Sequence, residues 1–253
     1  VPGPANYTVT TLGDEVFITD VSGLADVLSL SMPEPGLMEV AAEGRAMTQD
    51  GVTFFDRAYV SLHGITGVTV DAGFGNDVIT FEGNGGVVPS LTINGGGNDD
   101  AVNFLGDVYI ADGGRLEVNL QDDAAEPGKD HVTIAEMARI HAFGQAGVVI
   151  KASGSIRTGS NSLIETDDGD ILIEANQQSS PSSGNFARVL LEGTIRVYGA
   201  GQVEIAGRGG DDPAGGQVGL EMGGRVHGGT TGLVSLTGVG GDSSGMLNAG
   251  VLF

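Results

Sequence analysis

Near the C-terminal end the chain repeats itself with a period of about 31 residues, in the range of known repeat architectures. Gly207, Ile205, Val203, Gly201 and Ile195 recur as Gly238, Leu236, Val234, Gly232 and Val226. Leu191 recurs as Met222 and again as Phe253. The same offset upstream pairs Ala175 with Ala206, Leu172 with Val203 and Ile164 with Ile195. A fixed period of this size, with apolar positions kept and the residues between them free, predicts a solenoid. Each coil buries its inward side chains against the next.

A shorter echo precedes it, with a period of about 23 residues. Thr69–Phe81 aligns with Thr92–Phe104, a looser third copy runs through Gly128–Ile134, and Val148–Ala152 matches Ile171–Ala175 at the same spacing. Short aliphatic and β-branched runs alternate with polar residues between Gly, Asn and Asp clusters, as strands between tight corners do. Only Thr133–His141 has helical composition, and strand-plus-corner serves it equally well. The expected fold is all-β, a right-handed parallel β-helix with coils of about 23 and about 31 residues and roughly ten coils. Three parts are expected: residues 1–66 as a β-rich cap or irregular first coils, 67–146 as solenoid with Gly/Asn/Asp turns, and 147–253 as regular solenoid. The insertions that lengthen the long coils fall in Gln177–Asn185, Arg208–Gly216 and Val239–Gly245, which should stack into one rim.

Composition narrows the chemistry. Glycine supplies 45 of 253 residues, well above the ~7% average and without a triplet period, which points to many corners. The formal charge is −22, from 11 Lys+Arg against 33 Asp+Glu. Such a surface repels phosphate backbones and anionic lipid, which argues against nucleic acid or membrane as partner. It suits an extracellular setting in which cations screen the carboxylates. The absence of cysteine excludes disulfides, thiolate metal sites and a cysteine nucleophile. No apolar run is long enough to be read as a membrane-spanning helix.

Two stretches carry a family likeness. Gly147–Gly159 followed by Gly169–Ala175 resembles the coils of filamentous-haemagglutinin-like and autotransporter-like bacterial surface proteins. The segment Ile65–Ile79 is similar to modules of very large bacterial extracellular proteins, and its Gly/Asp turns resemble the calcium-binding repeats of RTX proteins. The resemblance implies a secreted, surface-exposed right-handed β-helix with structural or adhesive use. The expected partners are copies of the chain, further coils of the same chain, or a host or matrix glycan or protein.

The RTX likeness lies in Ala72–Ile79 and Gly95–Val102, and its ligands for Ca²⁺, a hard cation taking oxygen donors, would be Asp71, Asp77, Asp99 and Asp100. The competing reading gives glycine the positive φ and uses Asn and Asp to cap the turn backbone. Asp122, Asp123 and Asp130 read as a solvated acidic loop. A glycan-binding or glycan-cleaving β-helix is the alternative function, with Glu174 and Glu204, or Asp167, Asp168 and Asp170, as candidate carboxylates. Against cleavage stand the lack of Trp and only four Tyr. His63, His131, His141 and His227 show no metal spacing, and His131 and His141 are expected at corners. No catalytic set and no enzyme is expected. The apolar Val251, Leu252 and Phe253 are the expected end-to-end contact.

Overall fold

The computed structural model describes residues 6–121, 128–184, 189–241, 244–245 and 248–253. These residues form 25 strands and no helix. The N-terminal part is antiparallel: β1 (Tyr7–Leu12) with β2 (Glu15–Asp20), and β3 (Val27–Glu34) with β4 (Leu37–Gln49) and β5 (Val52–Ser61). From β6 (Gly67–Asp71) onward every pairing is parallel, in three stacks. The first stack continues β2 through β6, β9 (Leu91–Asn94), β12 (Arg115–Leu120), β15 (Gly147–Ala152), β18 (Ile171–Ala175), β21 (Val203–Arg208) and β24 (Val234–Val239). The second continues β3 through β7 (Val78–Phe81), β10 (Ala101–Phe104), β13 (His131–Ile134), β16 (Ser155–Thr158), β19 (Val189–Leu191), β22 (Leu220–Met222) and β25 (Val251–Leu252). The third holds β8 (Asn84–Val88), β11 (Asp107–Ile110), β14 (Arg139–Ala142), β17 (Leu163–Thr166), β20 (Thr194–Val197) and β23 (Arg225–His227).

Alternation along each strand explains the interior. Successive side chains point to opposite faces, and β2 through β21 place an aliphatic residue at nearly every inward position. Ile18, Val70, Ile93, Val118, Ile150, Ile173, Ile205 and Leu236 form one column in register. In the second stack Leu30, Phe81, Phe104 and Ile134 follow one another, with the two rings 6.4 Å apart. β-Branched side chains suit this pleated, stacked surface. Each fully buried one contributes about 1.5–3 kcal/mol.

The shorter echo is a true register. Thr69 lies against Thr92, Phe81 against Phe104, and Val148 against Ile171. The longer offset holds from β21 to β24 and from β20 to β23, but one step upstream it misses by a single position. Ile171, not Leu172, lies against Val203, and Ala175 lies against Gly207 rather than Ala206. The corner is the cause. Thr166 and Val197 are paired, yet β18 begins at Ile171 and β21 at Val203, so the second corner is longer by one. Leu172 consequently points outward, in line with Glu204 and Ser235. The helical composition of Thr133–His141 comes to nothing, since β13 and β14 occupy it.

The N-terminal strands close one end. β4 hydrogen-bonds antiparallel to β3 and parallel to β1, so it joins the first and second stacks into one 19-stranded sheet. Tyr7, Met38 and Met47 fill the space beneath. β5 is paired on one side by β4, and Val52, Phe55 and Tyr59 on it are exposed.

Corners are tight enough to select glycine. Gly96 has a φ of +89°, its neighbour Gly97 donates to the Gly73 carbonyl at 2.8 Å, and a Cβ on Gly96 would fall 1.9 Å from that carbonyl oxygen. Gly96→Ala is expected to destabilise the chain by about 2 kcal/mol or more, through left-handed strain and loss of this inter-rung contact. Denaturant unfolding measures it, and an unchanged midpoint would contradict the corner geometry.

Candidate functional site

Two of the four proposed calcium ligands belong to a buried ladder. The Asp77 carboxylate accepts the backbone N–H of Asp26 at 2.8 Å, Asp100 accepts that of Asp77 at 2.8 Å, and Asp130 accepts that of Asp100 at 2.7 Å. Ser153 continues the line: its hydroxyl accepts the Asp130 N–H at 3.0 Å and donates to the Asp130 carboxylate at 2.5 Å. Each side chain thus satisfies the amide one rung below, at the corner between first and second stacks, where the regular ladder is interrupted. Asp26 at the foot of the line is ion-paired with Arg45.

Burial is costly for this row. The Asp77 carboxyl is pushed up to about 7, chiefly by desolvation and further by Asp20 and Asp26, against the pull of the Asp26 amide and Arg45. Its second oxygen, Oδ2, is buried without a partner among the described residues. Both folded and unfolded chains hold this proton below pH ~4. Between there and pH ~7 the unfolded chain loses it first, so Asp77 costs stability as pH rises, and the loss is complete above that range. Asp77→Asn keeps an acceptor for the Asp26 amide and cannot ionise. It is expected to melt higher than the parent at pH ~8 and near the parent at pH ~4; thermal melts across that range decide it, and an identical pH slope would contradict the assignment.

The other predicted ligands lie apart from the ladder. Asp71 accepts from Asn94 Nδ2 at 2.6 Å, one rung up, and Asp99 accepts the backbone N–H of Lys129 at 2.8 Å. Among the described residues no group of three or more His, Asp or Glu is placed to hold a metal ion. Asp130 is buried within the ladder rather than lying in a solvated loop, while Asp122 and Asp123 lie outside the described residues. The candidate glycan carboxylates are likewise distributed. Glu174 pairs with Lys151 at 3.0 Å and stands opposite Ala206, two positions along from Leu172, against which Glu204 sits. Asp168 and Asp170 accept the backbone N–H groups of Ala200 and Gln202 at the corner between third and first stacks.

The long-coil loops do meet. Gly184 donates to Asp211 at 2.6 Å, Gly241 donates to the Gln217 carbonyl, and Pro181, Ser182, Arg208, Asp211 and Gly241 line a shallow groove of about 340 Å³. A larger groove, about 690 Å³, runs along the outer side of the first stack past Arg115, Val149, Leu172, Asp170 and Glu204. At the last rung, Val251 lies against Leu220 and Leu252 against Glu221, with Leu252 and Phe253 exposed.

The densest functional chemistry lies on the outer side of the third stack, where the sequence singled out only Asp167, as a candidate glycan carboxylate, and the histidines His141 and His227. The register aligns Tyr109, His141, Glu165, Arg196 and His227 along the axis. His141 therefore sits within β14, not at a corner. Glu165 is fully buried although it faces outward, because its neighbours close over it. Arg139 donates to its Oε1, with Nε at 2.7 Å, and the Tyr198 hydroxyl donates to Oε2 at 2.9 Å. His141 Nε2 lies 3.0 Å from Asp167. The Gly144 N–H and then His141 hold the Asp167 carboxyl below the usual range. Rings gather there too: Phe143 is 4.4 Å from His141 and 5.9 Å from Tyr109, with the Arg139 guanidinium 5.8 Å from the Tyr109 centroid. The column is unevenly spaced along the sequence. His141 follows Tyr109 at a greater distance than Glu165 follows His141, because the intervening corners differ in length. Unequal corners thus scatter the group in the linear chain. No family model, curated protein or solved structure matches the chain.

Proposed function

We propose that the chain is a rigid, right-handed β-helical rod whose coils come in two lengths, about 23 and about 31 residues. It serves as a structural or adhesive segment of a secreted bacterial surface or extracellular protein. The observation that carries this reading is the depth of the stacks. The first and second each run eight strands, on the order of 35 Å at ~4.8 Å per rung, with backbone bonding continued at a corner by the aspartate ladder. Such cross-linking along the axis resists extension and bending. The charge of −22 and the likeness of Gly147–Ala175 to surface-protein coils support the location.

The last rung supports association along the axis. Leu233, Val234, Leu252 and Phe253 are exposed there, at 64%, 37%, 44% and 88%. Further rungs or a second copy would cover such a surface, with parallel backbone pairing supplying the adhesion. Sedimentation of this chain is expected to show larger species as concentration rises. The double substitution Leu252→Lys, Phe253→Lys is expected to leave monomer only. A parent chain that stays monomeric at every concentration removes the end-to-end contact, whereas a compact scattering profile removes the rod itself.

A further inference from the structure

The outer side of the third stack differs from the rest of the molecule in charge. Its outward positions hold Arg139, Arg196 and Arg225 against Asp107, Glu165 and Asp167, three of each sign, in a chain where acids outnumber bases threefold. Two of the four tyrosines and two of the four histidines share that face. Tyr198 is 48% exposed, yet its orientation is fixed. Its hydroxyl donates to the buried Glu165 and accepts from Arg196 Nη1 at 3.2 Å, and the Arg196 guanidinium lies 5.4 Å from its ring centroid. Arg225 and His227, one rung further, are exposed and make no ion pair among the described residues.

We propose that this face binds a neutral oligosaccharide laid along the solenoid axis, with pyranose rings on Tyr198 and beside the Tyr109–Phe143 cluster. The proposal gives a ligand class to the adhesive part of the function proposed above, and rests on that part alone. Three observations lead to it. A half-exposed aromatic ring held by two hydrogen bonds is an apolar platform that loses little freedom on binding. Planar, multidentate groups stand near it, Arg196 on its own strand, His227 opposite Arg196 and Asp167 one rung below, which suit the alternating donors and acceptors of sugar hydroxyls. The balance of charge on this face favours an uncharged ligand, while the acidic remainder of the molecule repels a polyanion. The strands repeat at about 4.8 Å, close to the advance of one pyranose unit, so successive rungs can meet successive sugars.

Isothermal titration calorimetry of the intact chain reads binding without relying on the tyrosines that the variants remove. Titration with neutral β-1,4 and α-1,4 hexasaccharides (cellohexaose, chitohexaose, maltohexaose) is expected to give a saturable change with at least one of them. Tyr198→Ala is expected to weaken that binding by about tenfold or more, the scale of one lost ring contact. Tyr198→Phe retains the ring and should stay within about twofold of the parent, separating the platform from the hydroxyl. Thermal melts check that each variant folds, and Tyr59→Ala on the N-terminal cap serves as the remote control. No saturable response to any neutral hexasaccharide overturns the proposal. So does binding that survives Tyr198→Ala, or binding that hexagalacturonate or a proline-rich decapeptide displaces equally well. None of these results touches the rod, which scattering and sedimentation test separately.

Discussion

Parallel backbone pairing between successive rungs is the constraint from which the rest of this structure follows. It fixes the distance between coils, and so decides that aliphatic side chains must stand one above another in columns such as Ile18 to Leu236. It also creates a difficulty at each corner. There the strands end, the ladder breaks, and amides near the interior lose their partners at a cost of about 1–3 kcal/mol each. At one corner the chain meets this with side-chain carboxylates. Asp77, Asp100 and Asp130 each bond to the rung below, so the polar corner is knitted along the same axis as the apolar core.

That solution has a consequence for titration. A carboxylate that replaces a backbone acceptor must sit where the core excludes water, and Asp77 is 1% exposed with two further acids nearby. Its preference for the proton is the cost of continuing the ladder through the interior. The identical Gly/Asn/Asp pattern would serve a calcium site in a nonapeptide arrangement. Here the copies lie one full rung apart, and one oxygen each of Asp77 and Asp100 accepts a neighbouring amide.

The three lateral faces are unequal. The first carries a shallow groove, and the corner after it carries the loops that lengthen some coils. The third collects the rings, three arginines and the buried Glu165. On a solenoid every outward residue is repeated by position but not by identity, so a face can accumulate chemistry without disturbing the core beneath it. The Arg139–Glu165–Tyr198 network shows how this proceeds. Three rungs contribute one group each, and the packed core holds them at hydrogen-bonding distance.

The linear chain was enough to determine the all-β class and the shorter register that superposes Phe81 on Phe104, because inward positions admit only a narrow set of apolar side chains. It also placed the long-coil insertions on one rim. It did not determine the alignment of Leu172, which a slightly longer corner turned outward, nor the role of Asp77 and Asp100, whose partners are backbone amides common to every residue type. Least legible of all was the third face, since Tyr109, His141, Glu165 and Arg196 are spaced by corners of different length. Periodicity records what the core requires, for burial penalises most substitutions there. Outward chemistry carries no such penalty, so only the winding of the chain decides which of those side chains meet.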